Sequence, residues 1–201
     1  MIPRRFFQRD PLTCARELIG CGLVWGECRG IIVETEAYSV VNDEASHTFV
    51  RPSARAFVAK HPPGTAYVYF NYGVHWMLNV LVKGGAEDGF VLFRALEPRR
   101  GFALMEQRRR QVVRTALCSG PGKLAQALGV TGADHGRDLC SNPATAFRAR
   151  REIPDVETDL RIGISKAAHL PWRFLLRGSA FVSVRPSGAI DPPVRKRAMP
   201  A

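Results

Sequence analysis

The chain has 201 residues, which fits one domain. Apolar types make up 46% and charged types 23% of the sequence, a globular balance that excludes a disordered chain, a collagen and a disulfide-stapled mini-domain. No window approaches the roughly 18 continuous apolar residues of a membrane span. The N-terminal residues carry charges where a signal peptide needs an apolar core. We therefore expect a cytoplasmic protein that does not bind membranes.

The charge is positive and unevenly distributed. The 29 basic side chains exceed the 18 acidic ones by 11, and 24 of the basic ones are arginines. Residues 1–50 carry a net charge of −2, whereas residues 51–201 carry +13. Such a surface attracts polyanions, nucleic acid among them. A genome that favours arginine codons would give the same composition.

The cysteines and histidines form no metal-binding pattern. There are five of each, no two cysteines are spaced C-x2-C, and the histidines are scattered along the chain. We expect no metal site, and thiols that are reduced and mostly buried.

Apolar periodicity and turn residues predict the elements in chain order. Asp10 and Pro11 are typical of an N-cap and a first helical residue, and the helix that they begin should end at Gly20. Strands are predicted at 21–25, 30–38, 65–71, 76–83 and 90–96, with closing strands at 160–165, 173–176 and 181–184. Further helices are predicted from 99 to about 115, with a basic face, and at 121–128, closed by Gly129.

The order of these elements indicates the fold class. Strands occur in hairpin-like groups with helices between the groups, not as βαβ repeats. This favours an α+β fold, a single mixed domain with a curved, largely antiparallel β-sheet surrounded by helices. We expect this domain to span residues 1–185 and a basic, proline-containing tail to span 186–201.

The predicted strand 30–38 combines an apolar centre with two carboxylates. Strand alternation places Ile32, Glu34, Glu36 and Tyr38 on one face. Burying a carboxylate costs several kcal/mol unless partners compensate, so these acids should be paired or functional. The alternative is an edge strand with both acids in solvent.

The segment 65–76 is dense in aromatic residues. Tyr67, Tyr69 and Asn71 share a strand face, and Tyr72 falls at the turn between two strands. Packing of the sheet explains some of these rings. An aromatic side chain at a hairpin tip, next to a basic surface, suits stacking on bases or wedging between them.

Three further polar residues are candidates for the functional site. Two lie in apolar strands, and the third lies in the first turn of a helix. Asn79 lies in an apolar strand and should either be a structural contact or read the polar edge of a ligand. A buried Arg94 would need an anion, for which Glu36 or a phosphate could serve. Lys123, in the first turn of a helix, could contact a DNA phosphate, although its segment lacks the Walker A pattern.

Six segments together resemble the alkyladenine (3-methyladenine) DNA glycosylase family. They are VETEAY (33–38), DEASH (43–47), YVYFNYG (67–73), LFRALEP (92–98), LCSGPGKL (117–124) and RIGI (161–164). Each segment is weak evidence alone, but the set occurs in family order across about residues 5–185. The resemblance implies a mixed α/β domain around a curved antiparallel sheet, with no metal and no cofactor.

The resemblance also implies a catalytic pair. Glu36 would be the general base that activates water, and Arg94 would orient the water or Glu36. Hydrolysis of the N-glycosidic bond would leave an abasic site in the DNA. No lysine of the proposed pocket suggests a Schiff base, so a monofunctional glycosylase without lyase activity is expected.

The base-binding residues follow from the same resemblance. Tyr38, His47 and Tyr69 would enclose a purine flipped out of the duplex. Asn79 would disfavour the exocyclic amino group of normal guanine. Tyr72 would intercalate into the gap that the flipped nucleotide leaves.

One loop departs from the family pattern. Where the family often has a Thr-x-Arg-Asn-like loop, this chain has Arg51-Pro52-Ser53-Ala54-Arg55. Arg51, Arg55 and Lys123 are the candidate phosphate contacts.

The expected partner is double-stranded DNA that contains alkylated or deaminated purines, bound by a monomer that would be associated with the nucleoid in a bacterium. Two other functions remain open, a catalytically inactive nucleic-acid-binding module and a small-molecule hydrolase. The hydrolase would leave Tyr72 and the positive charge unexplained.

Overall fold

One antiparallel sheet organises the molecule. The computed structural model describes residues 1–71, 73–110 and 113–187. Its strands are β1 (Gly22–Trp25), β2 (Cys28–Ser39), β3 (Ala66–Asn71), β4 (His75–Val82), β5 (Gly89–Arg100), β6 (Thr145–Arg148), β7 (Val156–Asp159) and β8 (Arg173–Leu176). Its helices are α1 (Pro11–Leu18), α2 (His47–Val50), α3 (Pro52–Lys60), α4 (Phe102–Arg109) and α5 (Pro121–Leu128). The predicted α+β class, with a curled antiparallel sheet and helices around it, is confirmed.

The central strand is β2. The sheet runs in the order β3-β4-β5-β2-β1-β6, with every pairing antiparallel. Along one edge β2 pairs with β5, and along the other it pairs first with β1 and then with β8, which also pairs with β7. The acidic half of β2 is therefore enclosed on both sides, and an exposed edge strand is excluded.

A β-bulge in β2 changes which side chains share a face. Ile32 lies opposite Leu96 and Glu34 opposite Ala95, so Val33 is an extra residue in the register. Ile32 consequently packs in the main hydrophobic core, whereas Glu34 points to the other face. The expectation that Ile32 shares the face of Glu34 is wrong, because period-2 alternation does not continue through a bulge.

The two faces of the sheet carry different packing. The main core lies between one face and α1, α4 and α5, and it includes the fully buried Phe93, Phe147 and Leu78. On the opposite face α3 packs Ala54, Phe57 and Val58 against strand residues of a smaller cluster. That face also carries the tyrosines and acids singled out in the sequence.

Local signals explain the helix ends. The Asp10 carboxylate accepts a hydrogen bond of 2.8 Å from the N–H of Thr13, and Pro11 occupies the first turn of α1. Gly129 ends α5 in the left-handed conformation, with φ of 74°. Both helices lie within one or two residues of their predicted bounds.

The predicted helix from 99 to about 115 is too long. Residues to Arg100 still pair with β2, and Gly101, with φ of 83°, separates that strand from α4. Arg110 ends α4 in the left-handed region, and a short 3-10 helix follows at Arg114–Ala116. Residues 111 and 112 lie outside the described residues.

Two predicted closing strands are also wrong. Residues 160–165 form bends that follow β7, and residues 181–184 form a turn followed by bends, although 173–176 is a strand as expected. In both segments a backbone N–H donates to a buried carboxylate, from Ile162 to Glu36 and from Ser183 to Glu34. The helices α2 and α3 and the strands β6 and β7 were not predicted.

We expect Phe147→Ala to lower the free energy of unfolding by about 3–5 kcal/mol, since it empties a fully enclosed site. The Phe147 ring lies 5.3 Å from that of Phe7 and 5.4 Å from that of Phe93, between centroids. Urea unfolding measures the change, with Ile153→Ala, at 88% exposure, as the control that should stay within about 0.5 kcal/mol. Equal effects of the two substitutions would contradict this packing.

Candidate active site

A cavity opens on the sheet face opposite the main core. Its volume is about 310 Å³, at the lower end of the range for small-molecule sites. Five residues predicted from the sequence line it together: Tyr38, His47, Tyr69, Asn79 and Arg94. Strands β2 to β5 supply most of the wall, and Ala45, His47, residues 162–164 and the first residue of α5 complete it.

The aromatic wall is held together by direct contacts. The rings of His47 and Tyr69 lie 4.2 Å apart between centroids, at an interplanar angle of 59°. The Nδ1 atom of His47 lies 3.1 Å from the Tyr67 hydroxyl, and the Tyr67 ring stacks on Phe90 at 4.4 Å. His47 and Tyr69 thus form one side of the slot as a packed pair. Such a wall is suited to a flat, apolar-faced ring.

Asn79 is fixed from behind the wall. It is 4% exposed, and its Nδ2 atom donates a 3.1 Å hydrogen bond to the backbone oxygen of Tyr67, its partner on β3. The side chain therefore has a fixed orientation at the cavity surface. Asn79 is a structural contact that also lines the cavity. The two alternatives from the sequence, a structural contact and a ligand contact, therefore do not exclude each other.

The carboxylate of Glu36 lies directly behind this wall. It has no exposed surface, and three residues that line the cavity hold it, two by hydrogen bonds and one by an ion pair. Its Oε2 atom accepts from the Tyr38 hydroxyl at 2.8 Å, and its Oε1 atom accepts from the Ile162 N–H at 2.7 Å and lies 3.2 Å from Arg94 Nη1. The predicted pairing of Arg94 with Glu36 is present.

Arg94 has a second acidic partner that the sequence did not indicate. Its Nε atom lies 2.9 Å from Glu34 Oε1, and both side chains are buried. Glu34 also contacts Arg173 Nη1 at 3.1 Å, and it accepts from the N–H and hydroxyl of Ser183. Arg173 in turn contacts Asp159. Like Arg94, Arg173 lies within an apolar run, LPWRFLL (170–176), and that signal could have identified it.

A second buried ion pair connects two loops of the site. Arg161 and Asp43 form two hydrogen bonds, of 2.7 and 2.8 Å, with both side chains at 0% exposure. The Arg161 guanidinium lies between the rings of Tyr38 and Trp172, 4.6 and 5.0 Å from their centroids. The pair ties the loop before His47 to the loop that carries the Ile162 N–H. Only the resemblance had drawn attention to these two residues.

Burial determines the protonation state of two wall residues. It lowers the pKa of His47 to about 4, helped by the positive charge of Arg51, so the ring is neutral at physiological pH. Burial, and then the adjacent Glu36 carboxylate, raise the pKa of Tyr38 well above its ordinary value. The Tyr38 hydroxyl therefore keeps its proton, and it donates that proton to Glu36.

The candidate DNA contacts occupy different environments. Arg51 is exposed at the cavity rim, with its guanidinium carbon 5.7 Å from the centroid of Tyr69. Arg55 donates to the backbone oxygens of Thr48 and Phe49 and so fastens α2. Lys123 is exposed two residues after Pro121, which lines the cavity. Tyr72 lies outside the described residues.

The site is thus an aromatic slot backed by a buried acid and an arginine, on a strongly basic chain. The family model described as Methylpurine-DNA glycosylase (MPG) matches residues 5–180. The chain belongs to the methylpurine-DNA glycosylase family, as the resemblance implied.

Bacterial relatives extend the match over nearly the whole chain. Proteins from Rhodopseudomonas palustris (strain BisB18) and Agrobacterium fabrum are 50% and 46% identical over 182 residues. The matches cover 90% of this chain in both cases, and 90% and 92% of those proteins. A protein from Bradyrhizobium diazoefficiens is 44% identical over 182 residues, 90% of each chain. Each carries the name "Putative 3-methyladenine DNA glycosylase".

Within the described residues, no helix has the length and apolar character needed to cross a bilayer.

We expect the His47 ring to titrate around pH 4 in a side-chain NMR titration. Its folded-state pKa lies below the ordinary value of 6.5, so the unfolded chain binds more protons between these two values. His47 should therefore reduce the free energy of unfolding as pH falls through that window. In Arg51→Gln the pKa should rise, because a nearby positive charge is removed. A pKa of His47 at or above 6.5 in the wild type would contradict the burial of this ring in the cavity wall.

Proposed function

We propose that the chain flips alkylated or deaminated purines out of duplex DNA and hydrolyses their N-glycosidic bond, leaving an abasic site for base excision repair. The observation that carries the proposal is the Glu36 carboxylate, fixed by Arg94, Tyr38 and Ile162 directly behind a cavity walled by aromatic rings. A module that only binds a polyanion gains nothing from buried carboxylates at such a site, since they repel phosphate.

The target nucleotide must leave the duplex before its glycosidic bond can be reached. The glycosidic bond cannot be attacked inside a stacked duplex, and extruding the nucleotide costs a few kcal/mol. We propose that Tyr72 offsets part of this cost by filling the gap. The purine would then lie between Tyr38 on one side and the His47–Tyr69 pair on the other, with Asn79 facing its edge and disfavouring the exocyclic amino group of normal guanine. Aromatic faces attract cationic alkylpurines by about 0.5–2 kcal/mol per contact.

Glu36 would serve as the general base for the attacking water. General base catalysis contributes about 10²–10⁴-fold, and here it acts on a bond that alkylation has already weakened. In the structure the Tyr38 hydroxyl, Arg94 and the Ile162 N–H close off the carboxylate. The proposal therefore requires one of these contacts to open when the nucleotide enters. We propose that the Tyr38 contact opens, since its hydroxyl makes one hydrogen bond from a side chain that can rotate, whereas Arg94 is also held by Glu34.

The residues around the cavity also bear on the reaction products and on the contacts with DNA. Among residues 1–71, 73–110 and 113–187, no lysine lines the cavity, so we propose hydrolysis without a Schiff base and without strand cleavage by the enzyme. Arg51 and Lys123, exposed near the rim, would contact phosphates, and Arg55 would act by holding α2 in place. We propose that the enzyme acts as a monomer. Such an enzyme would work in the cytoplasm, at the nucleoid of a bacterial cell.

Glu36→Gln should abolish excision while binding to damaged duplex is kept or tightened, because the charge that repels phosphate is also removed. The assay uses a duplex with one hypoxanthine or ethenoadenine, followed by alkali to cleave abasic sites. Glu152→Gln, at an exposed position outside the cavity, is the matched control and should leave excision unchanged. Excision by Glu36→Gln would remove Glu36 from the catalytic role. If the wild type binds but excises neither these bases nor methylated ones, the inactive binding module is favoured.

Tyr72→Ala should weaken binding to lesion-containing duplex, because nothing then fills the gap left by the flipped nucleotide. Tyr72→Phe keeps the ring and should retain the affinity. Fluorescence anisotropy with labelled duplex measures both variants. Affinity unchanged in Tyr72→Ala would show that the hairpin tip is not a wedge.

A further inference from the structure

Five ionised side chains form a continuous row behind the cavity. The row, here called the charge chain, consists of Asp159, Arg173, Glu34, Arg94 and Glu36. Successive members are separated by 2.5, 3.1, 2.9 and 3.2 Å between charged atoms. None has a side chain more than 7% exposed. The signs alternate along the row, and Glu36 is the end next to the cavity.

The charge chain is not neutral. Three carboxylates and two guanidinium groups leave one unbalanced negative charge. The other ions of the cavity walls do not cancel it, because Arg161 is balanced by Asp43 and His47 is neutral. Arg51 adds a positive charge only at the solvent-exposed rim.

Neutral donors stabilise this surplus charge. Glu34 accepts from the N–H and hydroxyl of Ser183, and Asp159 accepts from the same two groups of Ser187. Glu36 accepts from the Tyr38 hydroxyl and a backbone N–H. Hydrogen bonds of this kind stabilise a carboxylate without adding a cation. The fold thus keeps a buried negative charge where a third arginine would have removed it.

We infer that Glu34 determines substrate specificity, by keeping the charge chain negative so that the cavity favours cationic alkylated purines over neutral damaged purines. With Glu34 uncharged, the two arginines would balance Glu36 and Asp159, and the row would be neutral. A cationic base gains Coulomb energy from the surplus charge throughout binding and reaction, whereas a neutral base gains little. The inference rests on the proposed glycosylase function and deepens it.

The test compares two lesions in the same duplex sequence, 7-methylguanine, whose base is cationic, and hypoxanthine, which is neutral. The readout is the ratio of kcat/KM for the two, so a loss of folded enzyme cancels. Three variants are compared with the wild type: Glu34→Gln, Glu34→Asp and Asp159→Asn. Asp159 is a matched control, because it also contacts Arg173 and also accepts two hydrogen bonds from one serine, but it lies at the far end of the row.

Glu34→Gln should lower the ratio of 7-methylguanine to hypoxanthine excision about tenfold, which corresponds to about 1.4 kcal/mol. Asp159→Asn removes the same charge farther from the cavity and should lower the ratio about two- to threefold, since Coulomb energy falls with distance. Glu34→Asp keeps the charge and should keep the ratio within about twofold, even if both rates fall.

Three outcomes overturn the inference. The first is an unchanged ratio in Glu34→Gln, with both rates reduced equally, as a purely structural role would give. The second is a fall of the ratio in Glu34→Asp as large as in Glu34→Gln. The third applies if Glu34→Gln does not fold. In that case an unchanged ratio in Asp159→Asn contradicts the inference. A wild type that excises neither lesion would contradict the proposed function itself, and it is recognised before any variant is measured.

Discussion

The fold depends on burying two carboxylates on the same face of one strand. Glu34 and Glu36 of β2 have no exposed surface, and an unpaired buried carboxylate would cost several kcal/mol. Two arginines from neighbouring strands, Arg94 of β5 and Arg173 of β8, meet this requirement. The pairing of β2 with both strands is therefore linked to the electrostatics of the site. The strand that holds the sheet together is also the strand that presents the acid.

The cavity is shaped by a second constraint, the pair formed by Arg161 and Asp43. Asp43 also accepts from the N–H groups of Ser39 and Ala45, so it fixes the turn that leads from β2 to α2. Arg161 precedes Ile162, whose N–H reaches Glu36. One buried ion pair thus sets the distance between the loop that delivers the His47 ring and the loop that supports the carboxylate. Neither loop has regular secondary structure that could do this alone.

Sequence reasoning was most successful where one chemical argument decided the outcome. An arginine inside the apolar run around Arg94 had to meet an anion, and it meets the predicted Glu36. The same argument applied to Arg173 would have given a third member of the cluster. The apolar strands β3 to β5 and the helices α1 and α5 were also predicted, since their apolar runs and end signals are local.

The errors have a common physical origin. Residues 160–165 and 181–184 have the apolar and β-branched composition of strands, but one backbone N–H in each donates to a carboxylate more than 100 positions earlier in the chain. No local pattern reports such a partner. The bulge at Val33 has the same character, because only the register with β5 reveals it. By contrast, α3 had a readable signal, since Ala54, Phe57 and Val58 have helical spacing behind a proline.

The long reach of the contacts around Glu34 has a consequence for how the protein is made. Arg94, Arg173 and Ser183 follow Glu34 by 60, 139 and 149 positions. During synthesis β2 leaves the ribosome with both acids unpaired, and contacts of such high sequence separation form slowly. A nascent chain shorter than about 183 residues therefore lacks a finished acid cluster. The row of charges that ends at Glu36, the proposed general base, is therefore complete only after the C-terminal part of the chain has been made.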